Sequence, residues 1–156
     1  MRREEMYADR RTEAIKAVWP LLEYLTEKEY PKTIIVSRGD KEQSYHYICL
    51  KKAREFLKVV PGILYENGHG AFLPDSVVED LLYLRNTFYR LTEAIVREEG
   101  RKKNISMEEY KGEAGFYGLI DELEEVYRIK NPKVVEAVHQ KAKELASNVK
   151  QMLEQN

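Results

Sequence analysis

Two of the three histidines stand three residues after a glutamate: Glu66 with His69, and Glu136 with His139. On an α-helix that spacing puts a carboxylate and an imidazole on one face, where both can reach the same metal ion. Carboxylate-bridged di-metal bundles use two such pairs and take one further glutamate from each of two other helices. Glu93 or Glu98 falls between the pairs, and Glu23 or Glu27 precedes them, so the order along the chain suits a metal-dependent helical enzyme. Three features argue against it. Asn67-Gly68 is a turn sequence inside the first pair. Glu136 falls outside the apolar seam of its helix, with His139 at the edge. And 22 glutamates make chance matches easy. The expectation is that Glu66, His69, Glu136 and His139 do not form one metal site, that Glu66 and His69 sit partly exposed in a glycine-containing loop, and that no cofactor is bound.

Other reactive patterns are weaker. His46 lies near Ser44 and Cys49 in sequence, but neighbours on one element do not make a nucleophilic triad. No phosphate loop or dinucleotide fingerprint is present. No histidine follows an arginine by four to six residues, as helical nucleases of that signature require. No catalytic residue is therefore assigned. Arg38-Gly39-Asp40 matches a cell-adhesion tripeptide and reads as a turn before a helix. Lys51, Lys52, Arg54 and Lys58, with Arg101, Lys102 and Lys103, are the cations a nucleic-acid accessory protein would use. No aromatic residues interleave the first group as a stacking platform requires, and it reads as a solvated helix face.

The 26 Lys and Arg against 27 Asp and Glu leave a net charge of −1, so no global field draws nucleic acid or anionic lipid to the chain. The chain has 156 residues, 43% of them hydrophobic, enough for one domain with a substantial core. Cys49 is the single cysteine, which excludes an intramolecular disulfide and reads as a buried structural thiol. Residues 1–11 lack the apolar core of a signal peptide, and no run reaches the ~20 apolar residues of a membrane-spanning helix. A cytoplasmic location is expected.

The elements that must position these residues read as helices. Val77, Leu81, Leu84, Phe88, Leu91 and Ile95 step by three and four, and Val78, Leu82, Tyr89 and Val96 widen the stripe. A central helix over Ser76–Glu99 follows, capped by Asp75 or Ser76 with Glu79 and stopped by Gly100. The first helix is expected over Glu4–Lys28, kinked or broken near Trp19 by Pro20. Trp19 reads as a core anchor. Thr33–Val36 reads as a buried connector without strand partners, and the second helix as Glu42–Val60. Residues 62–74 are expected to form a small hairpin around Asn67-Gly68 or an ordered loop. A short helix from about Met107 should be broken by Gly112, Gly115 and Gly118 and resume near Leu119, with Leu123, Val126 and Tyr127 on one side. Asn131-Pro132 starts the last helix, to about Leu153, with a seam of Val135, Val138, Ala142, Leu145, Val149 and Met152. The whole is all-α: one domain over residues 1–156, a mostly antiparallel bundle of about five helices.

A protein-interaction module, adaptor or scaffold, fits this pattern best, and self-association as a homodimer through the last helix is expected. Val134, Ala137, Leu145, Ala146 and Leu153 broaden that helix's apolar surface beyond its seam, and of eleven tyrosines Tyr83, Tyr110 and Tyr117 lack an evident core role.

Overall fold

The computed structural model describes residues 2–27, 32–106, 112–123 and 126–155. Its elements run α1 (Arg3–Glu27), β1 (Lys32–Arg38), β2 (Lys41–Cys49), α2 (Leu50–Pro61), α3 (Asp75–Lys102), α4 (Gly112–Leu123), β3 (Val126–Ile129) and α5 (Pro132–Gln155). The fold is mostly helical, with five α-helices and one small antiparallel sheet. The stretch expected as a hairpin or ordered loop is ordered as two helical turns, a π-turn at Gly62–Glu66 and a 3₁₀ turn at His69–Phe72.

Helix α3 carries the packing. Its buried row is Val77, Leu81, Leu84, Phe88, Thr92, Val96 and Gly100. Helices α2, α4 and α5 all pack on α3, and α1 packs on α5 and on the turns between α2 and α3. The rings of Phe56 on α2 and Phe88 on α3 stand 4.6 Å apart, centroid to centroid, and Tyr89 meets Phe116 of α4 at 5.1 Å. Thr92 is the polar member of the row; its hydroxyl donates to the carbonyl of Phe88 at 2.6 Å and is thereby satisfied within the helix. Helix α5 buries its expected seam, Val135, Val138, Ala142, Leu145 and Val149, and Met152 is half-buried. Leu145 is fully buried and does not extend the outer apolar surface.

Several boundaries differ from the sequence expectation. Gly100 does not stop α3. It is buried inside the helix, which ends at Lys102 on a Schellman motif. Asn104 adopts the left-handed region at φ 56°, its N–H donates to Arg101 O at 3.1 Å, and Ile105 N–H donates to Gly100 O at 2.9 Å. No side-chain cap forms at the start of α3, where Pro74 holds the entry. Helix α1 runs unbroken through Pro20, and Trp19 is half-buried against the core. Helix α4 is continuous across Gly115 and Gly118, so these glycines do not break it. Met107 lies outside the described residues. Asn131 does cap α5: its side-chain oxygen accepts from Lys133 N–H at 3.1 Å.

The larger correction is the sheet. Residues Lys41–Cys49, expected as the first half of a helix, form β2, and Val126 and Tyr127, expected on a helix, belong to β3. Strand β1 pairs with β2 from Lys32↔Tyr47 to Arg38↔Lys41, and β2 with β3 from His46↔Ile129 to Cys49↔Val126. Gly39 and Asp40 form the two-residue turn; Gly39 takes φ 64°, which glycine accepts without strain at the first turn position. Arg38-Gly39-Asp40 is thus a hairpin tip rather than a lead into a helix.

The end of α3 gives a stability test. Asn104→Gly keeps the left-handed cap and should raise thermal stability slightly. Asn104→Val should lower stability by about 1–2 kcal/mol, the cost of a branched residue at positive φ. Equal unfolding midpoints for the two variants in urea would contradict this account of how the helix ends.

Candidate functional site

The first Glu-x-x-His pair does not share a helical face. Glu66 ends the π-turn and is exposed, Gly68 turns the chain at φ 72°, and half-buried His69 opens the 3₁₀ turn. Glu136 and His139 do lie on one helix, α5, with Glu136 exposed and His139 half-buried. The first pair sits on turns that pack against α1 and α2, and the second on a helix that packs against α1 and α3. Glu93 pairs with Arg97 at 3.2 Å, and Glu98 with Lys130 at 3.2 Å. The side chains of Glu23 and Glu27 lie outside the described residues. Among the described residues, no group of three or more His, Cys, Asp and Glu side chains is placed to hold a metal ion. His46 is buried on the inner face of the sheet and Cys49 points to the other face, so the two do not combine.

The basic residues singled out in sequence are dispersed among partners. Arg54 pairs with Asp121, the Lys58 ammonium lies 4.8 Å from the Tyr117 ring centroid, and Lys102 pairs with Glu99 at 3.1 Å. Tyr110 lies outside the described residues.

Two surfaces stand out instead. One is a groove of about 520 Å³ between α3 and α5, whose apolar lining is Tyr83, Leu91, Ala94, Val134 and Ala137. Tyr83 is 47% exposed there, and Ala94 and Ala137 are small enough to admit a close-packed helix or side chain. Arg90 and Lys133 are its charged rim. Helix α5 was legible as the source of this surface through Val134 and Ala137. On α3, Tyr83 was legible as a residue without a core role, whereas Leu91 was not, because it reads as core by spacing.

The other surface is the outer face of the sheet. Along β2, His46 and Ile48 turn inward and are buried, while Tyr45, Tyr47 and Cys49 turn outward and are half-buried. Register puts Val126 opposite Cys49 and Arg128 opposite Tyr47, and both are exposed. The Arg128 guanidinium lies over the Tyr45 ring at 4.5 Å, and the Tyr45 hydroxyl donates to Gln43 Oε1 at 2.7 Å. Alternation over Tyr45–Cys49 was the available signal. It was hidden by the equally good helical spacing of Tyr45, Cys49 and Ala53.

An exposed ion-pair cluster links the turn after β3 to α3. Lys130, in the turn after β3, donates to the carboxylate of Glu98 on α3 at 3.2 Å, and Lys102 approaches the same carboxylate at 3.7 Å. The hydrogen bond and charge of Lys130, with the charge of Lys102, hold the Glu98 carboxyl below its ordinary range. Set against known proteins, the chain matches no family model, no curated protein and no solved structure. No helix among the described residues is long and apolar enough to cross a membrane.

A depressed carboxyl pKa stabilises the fold above the ordinary carboxylate range, and that contribution is lost as pH falls through the lowered value. Lys130→Ala should therefore move the Glu98 titration, followed by carboxyl-carbon NMR, upward toward that range. An unchanged titration would mean that Lys130 does not hold Glu98 in solution.

Proposed function

We propose that this chain is a helical protein-interaction module, of adaptor or scaffold type, that pairs with a second copy of itself across α5. The observation that supports it best is the apolar groove between α3 and α5 with Tyr83 standing half-exposed at its edge. Tyrosine buries a large area on association while its hydroxyl stays hydrated, which is why it is favoured at interfaces. Ala137 is exposed on the outer side of α5. A residue that small lets two α5 helices cross closely about a two-fold axis, the commonest symmetry among homo-oligomers. The rim also suits such pairing, since Lys133 and Glu136 are both exposed on the first turns of α5 and an antiparallel mate presents charges of both signs to them.

Ala137→Glu tests the proposal without touching the core, because Ala137 is already exposed. Light scattering at micromolar concentration should give twice the chain mass of 18.4 kDa for the parent and the single mass for the variant, with unchanged helicity. A parent mass that stays at 18.4 kDa as concentration is raised would overturn self-pairing.

A further inference from the structure

The outer face of the sheet combines alternating aromatic residues with charges of a single sign. Its aromatic residues Tyr45 and Tyr47 alternate along the central strand, and its charged residues are all cationic. Arg38 and Lys41 face each other across the end of the hairpin, both exposed, and Arg128 stands opposite Tyr47. Gln43 fills the position between Lys41 and Tyr45. The nearby acids fall elsewhere: Glu42 pairs with Ser37 in the alternate register and so turns to the other face, and Asp40 sits in the turn. The fully buried residues of β2 and β3, His46, Ile48 and Ile129, belong to the inward face.

We infer that this face binds single-stranded nucleic acid. A strand advances ~3.4 Å per residue, so Tyr45 and Tyr47 lie roughly 7 Å apart and the face from Lys41 to Tyr47 extends about 20 Å. Sheet-borne aromatics at alternate positions are platforms on which unpaired bases stack, and an arginine guanidinium offers a second stacking plane. Arg128 over Tyr45 supplies that plane beside the open Tyr47 position. Arg38 and Lys41 at the hairpin end then meet the phosphates that run on from the stacked bases. A duplex cannot use the platform, because its bases are already stacked on one another. The near-zero net charge does not oppose this, because screening at about 0.15 M salt confines each charge to some 8 Å and only the local face matters. This surface shares no residue with the α3–α5 groove, so either assignment can fail without the other.

The test is fluorescence anisotropy of the full chain with a fluorescein-labelled oligo(dT) or oligo(rU) of about a dozen nucleotides, within the footprint range of known single-strand sites. Binding on the order of micromolar is expected at low salt. The logarithm of affinity should fall against the logarithm of salt with a slope of about −2, from three cations at roughly −0.7 each. Tyr47→Ala should weaken binding by about five- to 150-fold, the range for loss of one stacked base. Because that variant also touches the sheet, Arg38→Glu with Lys41→Glu at the exposed hairpin end provides the second arm. It should keep the fold by circular dichroism, weaken binding at least about ten-fold and flatten the salt slope. Binding of either DNA or RNA with these losses supports the assignment. It is overturned by absence of binding to both oligonucleotides, by equal affinity for a duplex of the same length, or by an equal loss from Lys143→Glu on α5. It is also overturned if a poly-glutamate peptide binds where the oligonucleotides do not, which would give the face to acidic proteins.

Discussion

Helices α2, α4 and α5 all converge on one helix, α3. The apolar surface of α3 is too wide for a single neighbour: Val77, Leu81, Leu84, Phe88 and Val96 are buried, and Val78, Leu82, Tyr89, Leu91 and Ile95 beside them are partly buried. Each large apolar side chain moved out of water contributes about 1.5–3 kcal/mol, so leaving one side of such a helix open would forfeit several of them. Helix α2 covers the side around Phe88 through Phe56, α4 the side around Tyr89 through Phe116, and α5 most of the remainder. The part that stays uncovered, around Tyr83, Leu91 and Ala94, is where the groove lies. The packing constraint and the candidate interface are thus two aspects of one surface.

The buried row of α3 continues past Val96 to Gly100, so the helix does not end at that glycine. Termination then falls to Asn104, a residue that tolerates the left-handed region, with Ile105 folding back onto the core. A glycine in sequence marks either a stop or a close approach, and only the packing distinguishes them.

Long periodic stretches were legible in the sequence, and short non-local ones were not. The stripes of α3 and α5 repeat over several turns, so most of their burial followed from spacing, although the buried row of α3 continues through Thr92 and Val96 rather than through the expected Leu91 and Ile95. Strand β2 passes into α2 between Cys49 and Leu50 with no proline or glycine at the junction, and its last residues satisfy helical and alternating templates equally. Strand β3 has four residues and exists because it pairs with β2, about eighty positions earlier in the chain. No local propensity encodes that pairing. The outer sheet face was hidden for the same reason: its cations and aromatics come from three strands, two of which read as helix. The Glu-x-x-His pairs show the reverse failure, a pattern visible in sequence whose first member loses its geometry at Gly68.

Charge in this chain is balanced in sum and divided in space. Acids and bases on the helices neutralise each other at short range, as in Glu93 with Arg97, Asp80 with Lys141, Asp121 with Arg54, and Glu98 with Lys102 and Lys130. Exposed pairs of this kind add little stability, but each one removes a cation or anion from the field that a partner would meet. On the outer sheet face the strand register does the opposite, sending Glu42 to one side and Arg38, Lys41 and Arg128 to the other. Alternation along a strand separates neighbours in sequence onto different surfaces, whereas a helix keeps residues three and four apart together for pairing. A chain with interspersed charges therefore becomes neutral wherever it is helical and can show a single sign where it is extended.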